Sequence, residues 1–114
     1  MMKLVDTITI AELTEMAEKM YGQLVKAVVD TQKNLLVVDG ELHSDQEAYL
    51  LEKGSDQKNL WGINLYPEKF GKKDFIEFDS MINIRPSQKN MSKSVEDQKI
   101  RRQIFEIVEA KVAK

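Results

Sequence analysis

Apolar residues fall at helical spacing near both ends of this chain and in short continuous or alternating runs between them. Thr9-Ile10-Ala11-Glu12 has the form of a capping box, in which the hydroxyl meets a free helix N–H and the glutamate reaches back. Ile8 and Leu13 take the staple positions around it. Leu13, Met16, Ala17 and Met20 make the inner stripe of a helix over residues 10–21, which Gly22 ends. Residues 24–31 read as a strand with apolar side chains on both faces, and therefore as an interior strand. Gln32-Lys33-Asn34 turns the chain into Leu35-Leu36-Val37-Val38, its antiparallel partner. Asp39-Gly40 is a strong turn signal that either ends this strand or folds residues 41–43 back on it. Ser44-Asp45-Gln46-Glu47 is a second capping box, opening a helix over residues 45–53 that Gly54 closes. Residues 60–66 form a strand with Trp61, Ile63 and Leu65 on one side and Gly62 and Asn64 on the other. A basic loop leads to a strand over residues 75–85, stopped by Pro86. After a polar loop, Ser94-Val95-Glu96-Asp97 starts a last helix whose core stripe is Ile100, Ile104, Ile107, Val108 and Val112.

The order is α-ββ-α-ββ-α, with room for a short leading strand at residues 3–5. Hairpins pair antiparallel, so the predicted class is α+β: a two-layer domain with a four- to five-stranded sheet and three helices on one face. Its 114 residues make one domain, 1–114.

Within the 75–85 strand, Ile76, Phe78, Ile82 and Ile84 share one side with Ser80, and Glu77, Asp79, Met81, Asn83 and Arg85 share the other. Asp and Asn are poor strand formers, because their short polar side chains compete for nearby backbone. A carboxylate, an amide and a guanidinium in a row therefore suggest a polar site on a rigid element. They name no reaction.

Composition narrows the classes further. The net charge of −2 implies no steering toward polyanions. Residues 1–57 hold 5 basic and 11 acidic side chains, whereas residues 58–114 hold 12 and 8. Such halves suit internal pairing or head-to-tail association between copies. With no cysteine, disulfides, thiolate catalysis and Cys-based metal sites are excluded. Met1-Met2-Lys3-Leu4-Val5 meets Asp6 before any long apolar run, so no secretory pattern is present and the expected location is cytoplasmic. No apolar run nears the length of a membrane span.

Three runs carry a resemblance. They are Asp39-Gly40-Glu41-Leu42-His43-Ser44-Asp45, Leu60-Trp61-Gly62-Ile63-Asn64-Leu65-Tyr66-Pro67, and Asp79-Ser80-Met81-Ile82-Asn83-Ile84-Arg85-Pro86-Ser87-Gln88. With Val95-Glu96-Asp97 and the basic helix after it, the chain resembles, over nearly its whole length, a small prokaryotic family of single-domain proteins of unknown function. The resemblance implies a compact standalone domain and transfers no activity, cofactor or catalytic residue.

The residues themselves offer three candidate constellations. On the polar strand face, Asp79, Asn83 and Arg85 point one way, roughly 13 Å and 20 Å along from Asp79, and Asn64 comes from the neighbouring strand. Arg85 suits a carboxylate or phosphate clamp, Asp79 a general base or metal ligand, and Asn83 an orienting group. The plain alternative is a structural network among them. His43, the lone histidine, is the one side chain that titrates near neutrality unperturbed, and Glu41 and Asp45 flank it. The three carboxylates of Asp39–Asp45 and this histidine could hold Mg²⁺ or Mn²⁺, although the spacing matches no EF-hand loop and no His-Glu-x-x-His occurs, and a turn or capping role is the plain alternative. The basic loops at residues 69–73 and 85–94, the latter with Ser87 and Lys89, could meet phosphate or RNA backbone; otherwise they are solvated surface. No Gly-x-Ser-x-Gly elbow or glycine-rich phosphate loop occurs.

The leading expectation is a small domain binding an anionic small molecule. His43, Asp79 and Glu41 are its candidate acid–base groups, and Arg85, Asn83, Asn64, Ser87 and Lys89 its binding groups. A non-catalytic oligomeric interaction module and a weak RNA or phosphate binder are the alternatives, nucleic acid being the least supported partner. The cofactor, the metal requirement and catalysis itself are not decided by the sequence.

Overall fold

The Thr9 capping box forms as written: Thr9 Oγ1 accepts from Glu12 N at 3.1 Å, and Glu12 Oε1 accepts from Thr9 N at 3.0 Å. The computed structural model describes residues 2–114. Its elements are β1 (Lys3–Leu4), β2 (Ile8–Thr9), α1 (Ile10–Lys19), β3 (Val25–Asp30), β4 (Leu35–Val38), α2 (His43–Glu52), β5 (Leu60–Leu65), β6 (Ile76–Glu77), α3 (Gln98–Lys111) and β7 (Val112–Ala113). Five of the strands make one antiparallel sheet in the order β1-β4-β3-β5-β6. The chain is thus α+β with three helices, as its patterning predicts. A two-residue parallel ribbon, β2 with β7, closes the domain by pairing Ile8 with Val112.

Strand alternation decides what each face covers. Val25, Ala27 and Val29 of β3, Leu36 and Val38 of β4, and Trp61, Ile63 and Leu65 of β5 turn to one face. There they meet Leu13 and Ala17 of α1 and Ile104, Ile107 and Val108 of α3 in the main core. The intervening Val28, Val37 and Leu60 turn to the other face and meet Leu50 of α2. The expected two layers therefore gain a thinner third one, with α2 opposite α1 and α3. The cause is visible in β3 and β4, whose two faces are both apolar and both need cover.

Three local expectations are corrected. First, α2 starts at His43, and no side chain caps it at Leu42. The 44–47 capping box does not form, because His43, Gln46 and Leu50 turn as one face onto the sheet and draw the helix start earlier. Second, α3 starts at Gln98 with Asp97 Oδ1 accepting from Lys99 N at 2.8 Å. Residues 94–96 stay outside the helix, since Asn90 Oδ1 takes Glu96 N at 2.9 Å and Val95 is buried.

Third, the strand predicted over residues 75–85 stops after Glu77. Ser80 Oγ accepts from Ile82 N at 3.3 Å and bends Met81–Asn83 into a single 3-10 turn. The alternation is then inverted: Asn83 is fully buried while Ile84 is 38% exposed. What replaces the missing strand is side chain. Asn83 Oδ1 accepts from Gly62 N at 2.8 Å, and Asn83 Nδ2 donates to Gly62 O at 3.0 Å and Lys93 O at 2.9 Å. One amide thus does for Gly62 what a paired residue would do. Arg85 continues the edge, donating to Leu60 O, to Gln57 O at 2.7 Å and to Ile82 O at 3.0 Å, with its guanidinium 4.5 Å from the Trp61 ring centre.

Gly62 makes this approach possible. A Cβ on it would lie 2.6 Å from both Cβ and Oγ of Ser80 and 3.2 Å from His43 Cδ2. Gly62→Ala should push the 80–83 segment off the sheet and cost roughly 2–3 kcal/mol in urea denaturation, an overpacking effect. Adding Ser80→Gly should restore part of the loss in a double-mutant cycle; strictly additive effects would show that the two residues do not collide.

Candidate functional site

α2 meets the sheet through polar groups as well as Leu50. His43 Nε2 lies 2.8 Å from Ile63 O, and Gln46 Nε2 donates to Lys26 O at 2.8 Å. A carbonyl can only accept, so His43 carries its proton on Nε2 and leaves Nδ1 as an acceptor in the neutral ring. Beside this seam, α2, β3, β5 and residues 79–82 enclose a hollow of about 330 Å³. Its polar lining includes Lys26, His43, Ser44, Asn64, Asp79 and Lys93. Lys26 and Asn64 are directly paired across β3 and β5, which sets them side by side on this face.

Asn64 is nearly buried. Its Nδ2 donates to Glu77 Oε1 at 2.7 Å and to Asp79 O at 3.2 Å. Both neighbours are acceptors, which fixes the amide orientation. Asn64 Oδ1 is buried and makes no hydrogen bond of ordinary geometry, although the His43 ring is near enough to feel it; such a group costs about 1–3 kcal/mol unless something donates to it fully.

Burial depresses the His43 pKa below its ordinary value, and the Lys26 ammonium lowers it further; the Ile63 carbonyl, Asn64 and Asp79 act the other way. The imidazole is thus held neutral near pH 7. The unfolded chain binds this proton more readily, so His43 contributes stability above its unfolded pKa that is lost as pH falls toward the folded one. Stability should fall between pH 7 and pH 5, with a limiting slope of about 1.4 kcal/mol per pH unit for one proton. His43→Gln keeps a donor for Ile63 O and should flatten that slope; an unchanged slope would show that another group titrates. The Glu12 carboxyl is lowered by its Thr9 bonds and the Glu96 carboxyl by its bonds to Ser92 and Met91, so both act below this window.

Of the residues expected from sequence, His43, Asn64 and Asp79 meet in the hollow. Asn83 and Arg85 lie behind it in the sheet-edge network. Four N–H groups of Arg85 are taken, the last by Gln88 Oε1 at 3.2 Å. Glu41 is exposed and outside the lining; its backbone carbonyl accepts from Tyr21 Oη. Ser87 and Lys89 are exposed, around a 3-10 turn over Pro86–Gln88. Among the described residues no three His, Asp or Glu side chains gather as metal ligands. The four ion pairs among them join near neighbours in sequence, and the one that crosses between the acidic and basic halves, Lys58 with Asp56, spans only their boundary.

Lys26, Ser44 and Lys93 are additions that the sequence reading did not single out. Lys26 had a signal: it is the lone charge inside the apolar run from Leu24 to Val29. Lys93 belongs to the basic 85–94 loop, but nothing in the sequence places it beside His43, because the Ser80 N to Lys93 O bond at 3.1 Å that brings it here spans two loops.

No helix among the described residues is long and apolar enough to cross a membrane. Comparison with curated proteins and with solved structures returned no match. A family model described as protein of unknown function (DUF5674) matches residues 2–111, nearly the whole chain, and the chain therefore belongs to that family.

Proposed function

We propose that this domain binds a small, polar, negatively charged molecule in the hollow between α2 and residues 79–82. The observation that carries the reading is Asn64 Oδ1, a buried acceptor without a partner beside a neutral imidazole. A ligand N–H or O–H would complete it. Two ammonium groups, Lys26 and Lys93, against one carboxylate, Asp79, favour an anion at the mouth. His43 Nδ1 is an acceptor in the resting state, so His43 is the group suited to take a proton from a bound molecule. Asp79 orients the ligand or balances its charge. The hollow lies within the usual size range of small-molecule sites, about 300–1,000 Å³.

The test is a screen of small anionic metabolites, including inorganic phosphate and hydroxy- and amino-carboxylates, read by side-chain NMR and thermal shift. A true ligand should move the His43 imidazole and Asn64 amide resonances. At a hundredfold excess over Kd it should add about 2.7 kcal/mol of stability. Lys26→Met should keep the fold and weaken binding about tenfold. Hits that leave His43 and Asn64 unmoved, or a Lys26→Met protein that binds as well as the parent, would remove this reading.

A further inference from the structure

A larger hollow lies on the opposite face and shares no lining residue with the His43 site. Its volume is about 540 Å³, and it is walled by Phe70, Phe75, Ile76, Phe78, Phe105 and Val108. Phe105 sits on α3 between the buried Ile104 and Ile107 yet is 51% exposed. Phe70 reaches over from the 70–74 loop, edge-on to Phe75 with ring centres 5.2 Å apart. A phenyl ring held half in water at the mouth of an apolar cavity is an uncompensated cost unless something apolar covers it.

Charge at the rim says what kind of molecule that is. Lys72 and Lys73 line the hollow and belong to none of the ion pairs among the described residues. Arg101 lies 4.6 Å from the Phe78 ring centre and adds positive potential to the wall. Glu109 is the single acidic residue of the lining. The combination is an apolar trough with a basic lip.

We infer that this hollow is a second binding site, taking one free amphipathic anion: an acyl chain between the phenylalanine rings, with its carboxylate at Lys72 and Lys73. A hollow of about 540 Å³, half open to solvent, has room for a single chain, whereas a bilayer surface would be better suited by a flat basic face.

Laurate, kept below its micelle concentration, is the probe, with dodecyltrimethylammonium as its cationic counterpart of equal chain length. Titrated into the full chain and followed by NMR, laurate should saturate one site and shift Phe70, Phe105 and Val108. It should bind at least tenfold tighter than the cation. Phe105→Glu places a charge at an already exposed position and should weaken laurate at least tenfold. Lys72→Glu with Lys73→Glu should reverse the preference between the two probes. Circular dichroism melts confirm that each variant is folded. The inference is overturned by non-saturating binding, by shifts confined to His43 and Asn64, or by equal affinity for both probes. Binding to phosphatidylglycerol vesicles without binding to monomeric laurate would overturn it, as would a dimer in sedimentation equilibrium that covers Phe105.

Discussion

Asn83→Ala should destabilise the domain by roughly 3–5 kcal/mol, a large part of the 5–15 kcal/mol typical of a single domain. The side chain is fully buried and holds both backbone groups of Gly62 together with Lys93 O. Alanine removes three hydrogen bonds and leaves Gly62 N and Gly62 O without replacements, while Lys93 O keeps the bond from Ser80 N. The cost of each stranded group exceeds the net worth of an ordinary hydrogen bond. Urea denaturation of the ligand-free protein measures it. Asn83→Asp offers a sharper form of the same experiment. A carboxylate can still accept from Gly62 N but cannot donate to Gly62 O or Lys93 O, and its charge would be buried. Its folded pKa should therefore rise above that of the unfolded chain, so this variant, unlike the parent, should recover stability as pH falls through the carboxylate range. A loss below about 1 kcal/mol for Asn83→Ala would mean that the edge of β5 does not depend on this amide.

Arg85→Lys should cost roughly 2–3 kcal/mol and Arg85→Ala about 4 kcal/mol, again without any ligand present. The planar guanidinium satisfies the carbonyls of Gln57, Leu60 and Ile82 at once while lying over Trp61. An ammonium is a point donor on a flexible stem and cannot span that set or stack in the same way. Burial also lowers the Arg85 pKa, with Glu47 opposing the shift. If either variant melted like the parent, the network would be ornamental and Arg85 would be free for another role. Asp79→Asn makes the contrast: Asp79 is exposed and uses its backbone carbonyl to hold Asn64, so its carboxylate is not required by the fold.

These residues also show where a sequence stops being readable. The Thr9 capping box, the β3–β4 hairpin and the faces of β5 each rest on signals within a few positions, and each formed. The polar run from Asp79 to Arg85 is conspicuous in the sequence, but its meaning lies far along the chain. Asn83 answers to Gly62, 21 positions away, and Arg85 to Gln57 and Leu60, 28 and 25 positions away. Alternation predicted a strand there because period two cannot distinguish pairing through backbone from pairing through an amide side chain. The useful clue was on the other partner: a glycine set between Trp61 and Ile63 in the middle of a strand marks a close approach. The hollow was legible in part, since His43, Asn64 and Asp79 do meet, whereas Lys93 arrived through loop geometry that no spacing records.

The two ends of the sheet are both trimmed to strands of two residues, β1 and β6. Past β6, the stretch from Leu60 to Gly62 would present an unclaimed ladder to solvent if Asn83 and Arg85 let go. A released ladder is a template on which foreign chains can add. Partial failure of this one corner would therefore show first as self-assembly into insoluble material at temperatures where the rest of the domain is still intact, and light scattering would rise ahead of the melt.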